Sequence, residues 1–141
     1  MLYLLQAKGE LSVNPKRNIL LVEDEPDTLQ SMLNTLLIKR SKNYEPLVAV
    51  DGYEALDYMI NKQIDLVVLD LNMSNLNGLE VCQHKFNDPD MKDIPVIVSS
   101  AFVDESMEEQ LRSLGVVHFL KKPYKMDQLL QKIDELMACP A

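Results

Sequence analysis

Apolar residues in this chain alternate between short unbroken runs and longer stretches in which they recur at three- and four-residue spacing. The runs fall in Asn18 to Val22, Leu47 to Val50, Leu66 to Leu69, Ile94 to Val98 and Val116 to Leu120. Continuous runs of this length read as strands buried on both faces, the habit of a parallel sheet. Between them lie helical patterns. Leu29, Met32, Leu33, Leu36 and Leu37 predict a helix to about Arg40. Its start at Pro26 suits a residue whose missing N–H loses no bond in a first turn. Ala55, Leu56, Met59 and Ile60 predict a second helix. Leu79, Cys82 and Phe86 predict a third, opened by Asn77-Gly78 and broken by Asn87-Asp88-Pro89-Asp90. A weaker fourth covers Asp104 to Leu114, its acidic start matched to the helix dipole. The last helix carries Met126, Leu129, Leu130, Ile133, Leu136 and Met137 at strong helical spacing.

Five strands alternating with five helices predict right-handed βαβ crossovers and a three-layer α/β/α sandwich around a five-stranded parallel sheet. Residues 1–17 have no clear period and end in the breaker Asn14-Pro15-Lys16-Arg17, so they are read as an N-terminal extension to one domain over 18–138. The apolar start Met1-Leu2-Tyr3-Leu4-Leu5 is too short for a signal segment, and no run approaches the roughly twenty apolar residues of a membrane span. With Cys82 and Cys139 in no metal spacing, both are expected to be reduced thiols of a cytoplasmic protein.

The polar residues that end each strand change the picture. In a parallel sheet all these ends share one edge, the edge where open α/β sheets bind ligands. Glu23-Asp24 follow the first strand, Asp70 the third, Ser99-Ser100 the fourth and Lys121-Lys122 the fifth. Three carboxylates, a hydroxyl and an ammonium therefore converge. Close carboxylates repel unless a cation joins them, and Mg²⁺ is the hard ion held by one or two carboxylates plus waters. Asp24 and Asp70 are its candidate ligands, with a backbone carbonyl near Asn72 as a third. Ser100 and Lys122 are placed to hold phosphoryl oxygens while Asp70 acts as nucleophile. A net charge of −8 excludes general nucleic-acid binding, which needs a basic footprint.

Four stretches carry a resemblance: Leu-Leu-Val-Glu-Asp-Glu (20 to 25), Val-Val-Leu-Asp-Leu-Asn-Met-Ser-Asn-Leu-Asn-Gly-Leu-Glu (67 to 80), Pro-Val-Ile-Val-Ser-Ser-Ala (95 to 101) and Phe-Leu-Lys-Lys-Pro-Tyr (119 to 124). In this order and spacing, residues 18 to about 137 resemble the CheY-like receiver domain of two-component response regulators. The resemblance implies the flavodoxin-like strand order 2-1-3-4-5, an order for which CheY is a standard example. It implies Asp70 as phosphoacceptor, Asp24 binding Mg²⁺ directly and Glu23 through water, and the Asn72 carbonyl completing the metal site. It further implies Ser100 as the switch hydroxyl, Lys122 as the lysine before a proline whose peptide bond is often cis, and Phe119 as the switch aromatic. The phosphoryl donor would be a histidine kinase or a histidine phosphotransfer protein, and the face remodelled would be that of the fourth helix, fifth strand and fifth helix. The downstream target would be a protein, with no direct membrane contact, and a stand-alone receiver or a relay intermediate is expected.

Neighbouring strand residues point oppositely, so only one of Lys121 and Lys122 enters the site, and register before Pro123 favours Lys122. By the same logic Ser99 is the bystander to Ser100. Ser74 stands where the family usually has proline, which removes a φ restraint from that loop. Asn72 and Phe102 occupy the positions flanking the phosphoryl group, and an apolar ring at 102 would hinder the attacking water. A phosphohydrolase using Asp70 is disfavoured because Asn72 cannot act as a general acid. A degenerate receiver that only binds a partner is disfavoured by the complete set of site residues. His84 and His118 are expected in surface or packing roles.

Overall fold

The computed structural model describes residues 15–138. Along the chain they form β1 (Arg17–Val22), α1 (Pro26–Lys39), β2 (Tyr44–Ala49), α2 (Gly52–Asn61), β3 (Leu66–Asp70), α3 (Gly78–Phe86), β4 (Val96–Ser100), α4 (Glu105–Ser113), β5 (His118–Lys121) and α5 (Met126–Met137). The strands pair in the order β2-β1-β3-β4-β5, every neighbour parallel, which is the expected 2-1-3-4-5 arrangement.

Side chains alternate across this sheet as the two-residue strand period requires. Ile19, Leu21, Leu66, Val68 and Ile97 pack with Met32 and Leu36 of α1 and with Leu129, Leu130 and Ile133 of α5. Leu20, Val22, Val67, Leu69 and Val98 face the other way, onto Ala55 and Met59 of α2, Val81 and Cys82 of α3, and Leu111 of α4. All five residues of β3 are buried, as a central strand covered on both faces must be.

Helix starts are set by local chemistry. Glu25 accepts from the Thr28 N–H at 2.6 Å, Asp51 from Glu54 at 2.9 Å and Asp104 from Met107 at 2.7 Å, each satisfying an amide that the helix leaves open. Asn77 and Glu80 form a reciprocal capping box on α3. Arg40 and Tyr44 both bond Asp134, tying the end of α1 and the start of β2 to α5.

Several element edges differ from the sequence expectation. Arg17 belongs to β1, β2 begins at Tyr44, and β5 is His118–Lys121. In β4 the strand runs Val96–Ser100 because Pro95 has no N–H for the ladder, although its carbonyl accepts from Val67 at 3.0 Å. Leu37 and Ile60, expected to face the core, are 48% and 65% exposed. On α3, Val81 and Lys85 are buried beside Cys82, while Leu79 and Phe86 are only partly covered. Lys85 tolerates this position by donating to the Lys92 carbonyl at 2.8 Å.

Candidate functional site

Parallel register decides which strand ends meet. Val22 pairs with Leu69, Asp70 with Ser99, and Ser100 with Lys121, so the residues after these positions gather at one edge. Glu23 continues the ladder with an N–H to the Ala49 carbonyl at 3.1 Å. It is 1% exposed and Asp70 is 4% exposed, whereas Asp24 stands in solvent. Carboxylate oxygens of Glu23, Asp24 and Asp70 lie within 4.8 Å of one another.

One ammonium enters this cluster. Lys122 Nζ donates to Glu23 Oε1 at 2.9 Å and sits 3.7 Å from Asp70 Oδ1. Lys121 is exposed, as the alternation argument required. The Lys122–Pro123 peptide is cis. Burial pushes the Glu23 carboxyl above its ordinary range, the Lys122 bond opposing and the Asp70 charge adding to it. Burial also works against the Lys122 ammonium, but its bond to Glu23 and the charges of Asp70 and Glu23 outweigh that and hold its pKa up.

Small polar groups surround Asp70. The Asn72 N–H donates to Asp70 Oδ1 at 3.2 Å, and the Ser74 N–H to Asp24 Oδ2 at 3.4 Å. Ser100 Oγ donates to the Phe102 carbonyl at 3.2 Å and lies 3.5 Å from Asn72 Nδ2. The Phe102 ring is 73% exposed. With Ser100, Val103 and Phe119 it lines a cavity of about 270 Å³ under the β4–α4 loop. Phe119 is half-buried, with the Arg112 guanidinium 5.0 Å from its ring centre. His84 is exposed, and His118 is half-buried with Lys132 and Glu135 of α5 as its charged neighbours.

Three carboxylates against one ammonium leave the pocket with an excess of negative charge. All the donors are hard oxygens, a set that fits Mg²⁺ and not a soft, nitrogen- or sulfur-seeking ion.

Two features lay outside the sequence expectations. The loop after β3 is fastened to the start of α2: the Gly52 N–H donates to the Leu76 carbonyl at 3.0 Å and Asn75 Nδ2 to Asp51 Oδ2 at 3.1 Å. Asn75 takes φ 62°, a left-handed conformation that asparagine tolerates well. A Cβ on residue 52 would collide with Leu76, so the Asp51-Gly52 pair marks a close approach as well as a turn. The second feature is a bond between the Ser99 and Tyr124 hydroxyls at 3.1 Å.

A family model described as the response regulator receiver domain matches residues 19–134. The chain is 31% identical over 117 residues to the polar-differentiation response regulator DivK of Brucella anthropi, covering 83% of this chain and 93% of that one. It is 35% identical over 121 residues to the response regulator MprA of Mycobacterium sp. (strain KMS), covering 84% of this chain and 50% of MprA. The chain thus spans about half the length of the MprA relatives it matches. Among solved structures, the phosphorylated cyanobacterial phytochrome response regulator RcpA is similar with a TM-score of 0.77 at 28% identity, over 89% of this chain and 98% of that one. The Mn(2+)-bound form of the response regulator Rcp1 gives a TM-score of 0.74 at 26% identity, over 89% and 99% of the two chains.

Proposed function

The chain belongs to the response regulator receiver domain family, and on that premise we propose that Asp70 is the carboxylate that accepts the phosphoryl group. Receiver domains take it from a histidine kinase or a histidine phosphotransfer protein, and that is the donor class here. The observation that carries the assignment is the single ammonium of Lys122, which touches Glu23 and stands 3.7 Å from Asp70 within the acidic cluster.

In the transfer an Asp70 oxygen attacks phosphorus in line as the bond from phosphorus to the donor imidazole nitrogen breaks, leaving an acyl phosphate and a free histidine. Asp24, Asp70 and the Asn72 carbonyl, with Glu23 through water, would hold Mg²⁺, which would supply charge neutralisation for the carboxylates and the incoming phosphoryl group. Lys122 turns from Asp70 Oδ1 to a phosphoryl oxygen. Asn72 and Phe102 flank the incoming group. The Ser100 hydroxyl leaves the Phe102 carbonyl to bond the phosphoryl group, and Phe119 moves into the space it vacates. That rearrangement remodels the face of α4, β5 and α5, which is the surface offered to a downstream protein.

The proposed receiver unit over 18–138 gains Arg17, which belongs to β1, from the extension expected over 1–17; residues 1–14 and Cys139 lie outside the described residues. No helix among the described residues is long and apolar enough to cross a membrane; a cytoplasmic site of action is part of the proposal. The test is acid-labile phosphate incorporation from acetyl phosphate with Mg²⁺. The parent incorporates phosphate, while Asp70→Asn and chelated parent do not. Equal labelling of the amide variant refutes the assignment.

A further inference from the structure

We propose that Tyr124 is a positioning residue for Lys122, acting through the Ser99 hydroxyl. The inference rests on the role given to Lys122 above.

Ser99 is 0% exposed and lies in β4 next to Asp70 in register. Its neighbour Ile97 two residues back faces the apolar layer of α1 and α5, so the Ser99 side chain points into that layer too. A hydroxyl buried there must find a partner, and the Tyr124 hydroxyl meets it at 3.1 Å, either group able to donate. Just upstream, the Lys122 N–H donates to the Ser100 carbonyl at 2.8 Å. The segment Lys122-Pro123-Tyr124 is therefore fastened at both ends to consecutive residues of β4, by a backbone bond before the turn and a hydroxyl pair after it.

This bracket matters because of what Lys122 reaches. Its side chain must span from β5 to Glu23 after β1 and Asp70 after β3, crossing in front of β4. A shifted Cα changes the side-chain conformation that Nζ needs in order to meet both carboxylates, which stand 2.9 and 3.7 Å from it. The Tyr124 ring packs against the α1 and α5 layer and lines a groove of about 490 Å³ with Asp27, Thr28 and Lys122. Phenylalanine at 124 keeps that packing and removes only the tie. Among the described residues the Tyr124 hydroxyl bonds Ser99 and makes no hydrogen bond to Asp70 or its acidic neighbours.

The test uses the full chain, acetyl phosphate and saturating Mg²⁺, comparing Tyr124→Phe, Ser99→Ala, the double variant, Lys122→Ala and Lys122→Ala with Tyr124→Phe. Each hydroxyl variant slows phosphate incorporation about tenfold, as a misplaced catalytic group does. The double variant is no slower than either single one, since all three lose the same bond. The Mg²⁺ dissociation constant, read by calorimetry, stays within about twofold of the parent, because Lys122 is not a metal ligand. In the Lys122→Ala background, Tyr124→Phe alters the residual rate by less than about twofold. Parent-like rates in the hydroxyl variants overturn the proposal. So do effects that multiply in the double variant, or a Tyr124→Phe loss that persists without Lys122. If the parent itself takes no phosphate, the phosphoacceptor assignment fails and the positioning role falls with it; a labelled parent with unaffected variants overturns the positioning role alone.

Discussion

Lys122→Met keeps the reach of the side chain and deletes its charge, which isolates what that charge does for the folded state. Glu23 is 1% exposed, and its bonds are the 2.9 Å contact from Lys122 and a 3.3 Å N–H from Glu25. Breaking a buried ion pair by removing one member costs about 3–5 kcal/mol. Glu23 has another outlet, which is to bind a proton. Keeping a glutamate neutral at pH 7 costs about 3.7 kcal/mol, at roughly 1.4 kcal/mol per pH unit above its ordinary pKa of about 4.3. Because the Lys122 side chain is 24% exposed and water screens its end of the pair, the cost is discounted below both figures, to about 2–3 kcal/mol in metal-free buffer at pH 7. The sign follows from the direction of the shift. A Glu23 whose folded pKa is raised binds more protons folded than unfolded, so stability falls as pH rises toward that folded value. The deficit of the variant should therefore shrink to about 1 kcal/mol at pH 5. Urea unfolding of parent and variant in EDTA from pH 5 to 8 measures it, and repeating the series with Mg²⁺ should restore part of the loss. A deficit of constant size across that pH range would show that Lys122 acts through its aliphatic stem, and the electrostatic account of the pocket would be wrong.

Phe102→Glu should shorten the lifetime of the phosphorylated protein, because a carboxylate replaces an apolar ring beside the site; an unchanged or slower decay rejects the role given to Phe102. Gly52→Ala should lower stability by more than about 2 kcal/mol, since its methyl group meets Leu76 backbone; a parent-like thermal midpoint rejects the tight approach of these two segments. Tyr44→Phe removes a 2.6 Å bond to Asp134 and should cost about 1 kcal/mol at pH 7. Burial disfavours ionised Asp134, but Arg40 and Tyr44 outweigh it and hold its pKa below the ordinary value. Its contribution is thus present above the unfolded pKa of about 3.9 and lost as pH falls through the folded one. The gap between parent and Tyr44→Phe should close in acid, and a gap that stays open there counts against the Asp134 network.

The site was legible where the chemistry is tied to strand ends. Parallel pairing alone brings Glu23, Asp24, Asp70, Ser100 and Lys122 to one edge; the two-residue strand period admits only one of Lys121 and Lys122, and register before Pro123 picks Lys122. What could not be read depends on tertiary packing. Leu37 and Ile60 satisfy a helical period but lie at its margin, where the sheet no longer covers them. Lys85 is buried at a position no apolar pattern marks, because its partner is a carbonyl in the following loop. Ser99 looked like a bystander for the same reason: its partner, Tyr124, lies beyond β5, and two hydroxyls so separated leave no trace in periodicity. The contact with Leu76 that makes glycine necessary at position 52 comes from a loop 24 residues away in sequence, which local pattern cannot mark.

Cys82 extends this to dynamics. Its thiol is 1% exposed, and burial pushes its pKa up to about 12, so in the closed protein it is neither reachable nor ionised. In a Cys139→Ser background, the pace at which an alkylating reagent consumes that sulfur becomes a clock for how often α3 lifts from the sheet. Because α3 follows directly on the loop that leaves Asp70, a ticking rate that changes when acetyl phosphate is added would report, without any label, how far news of the modification travels through the interior.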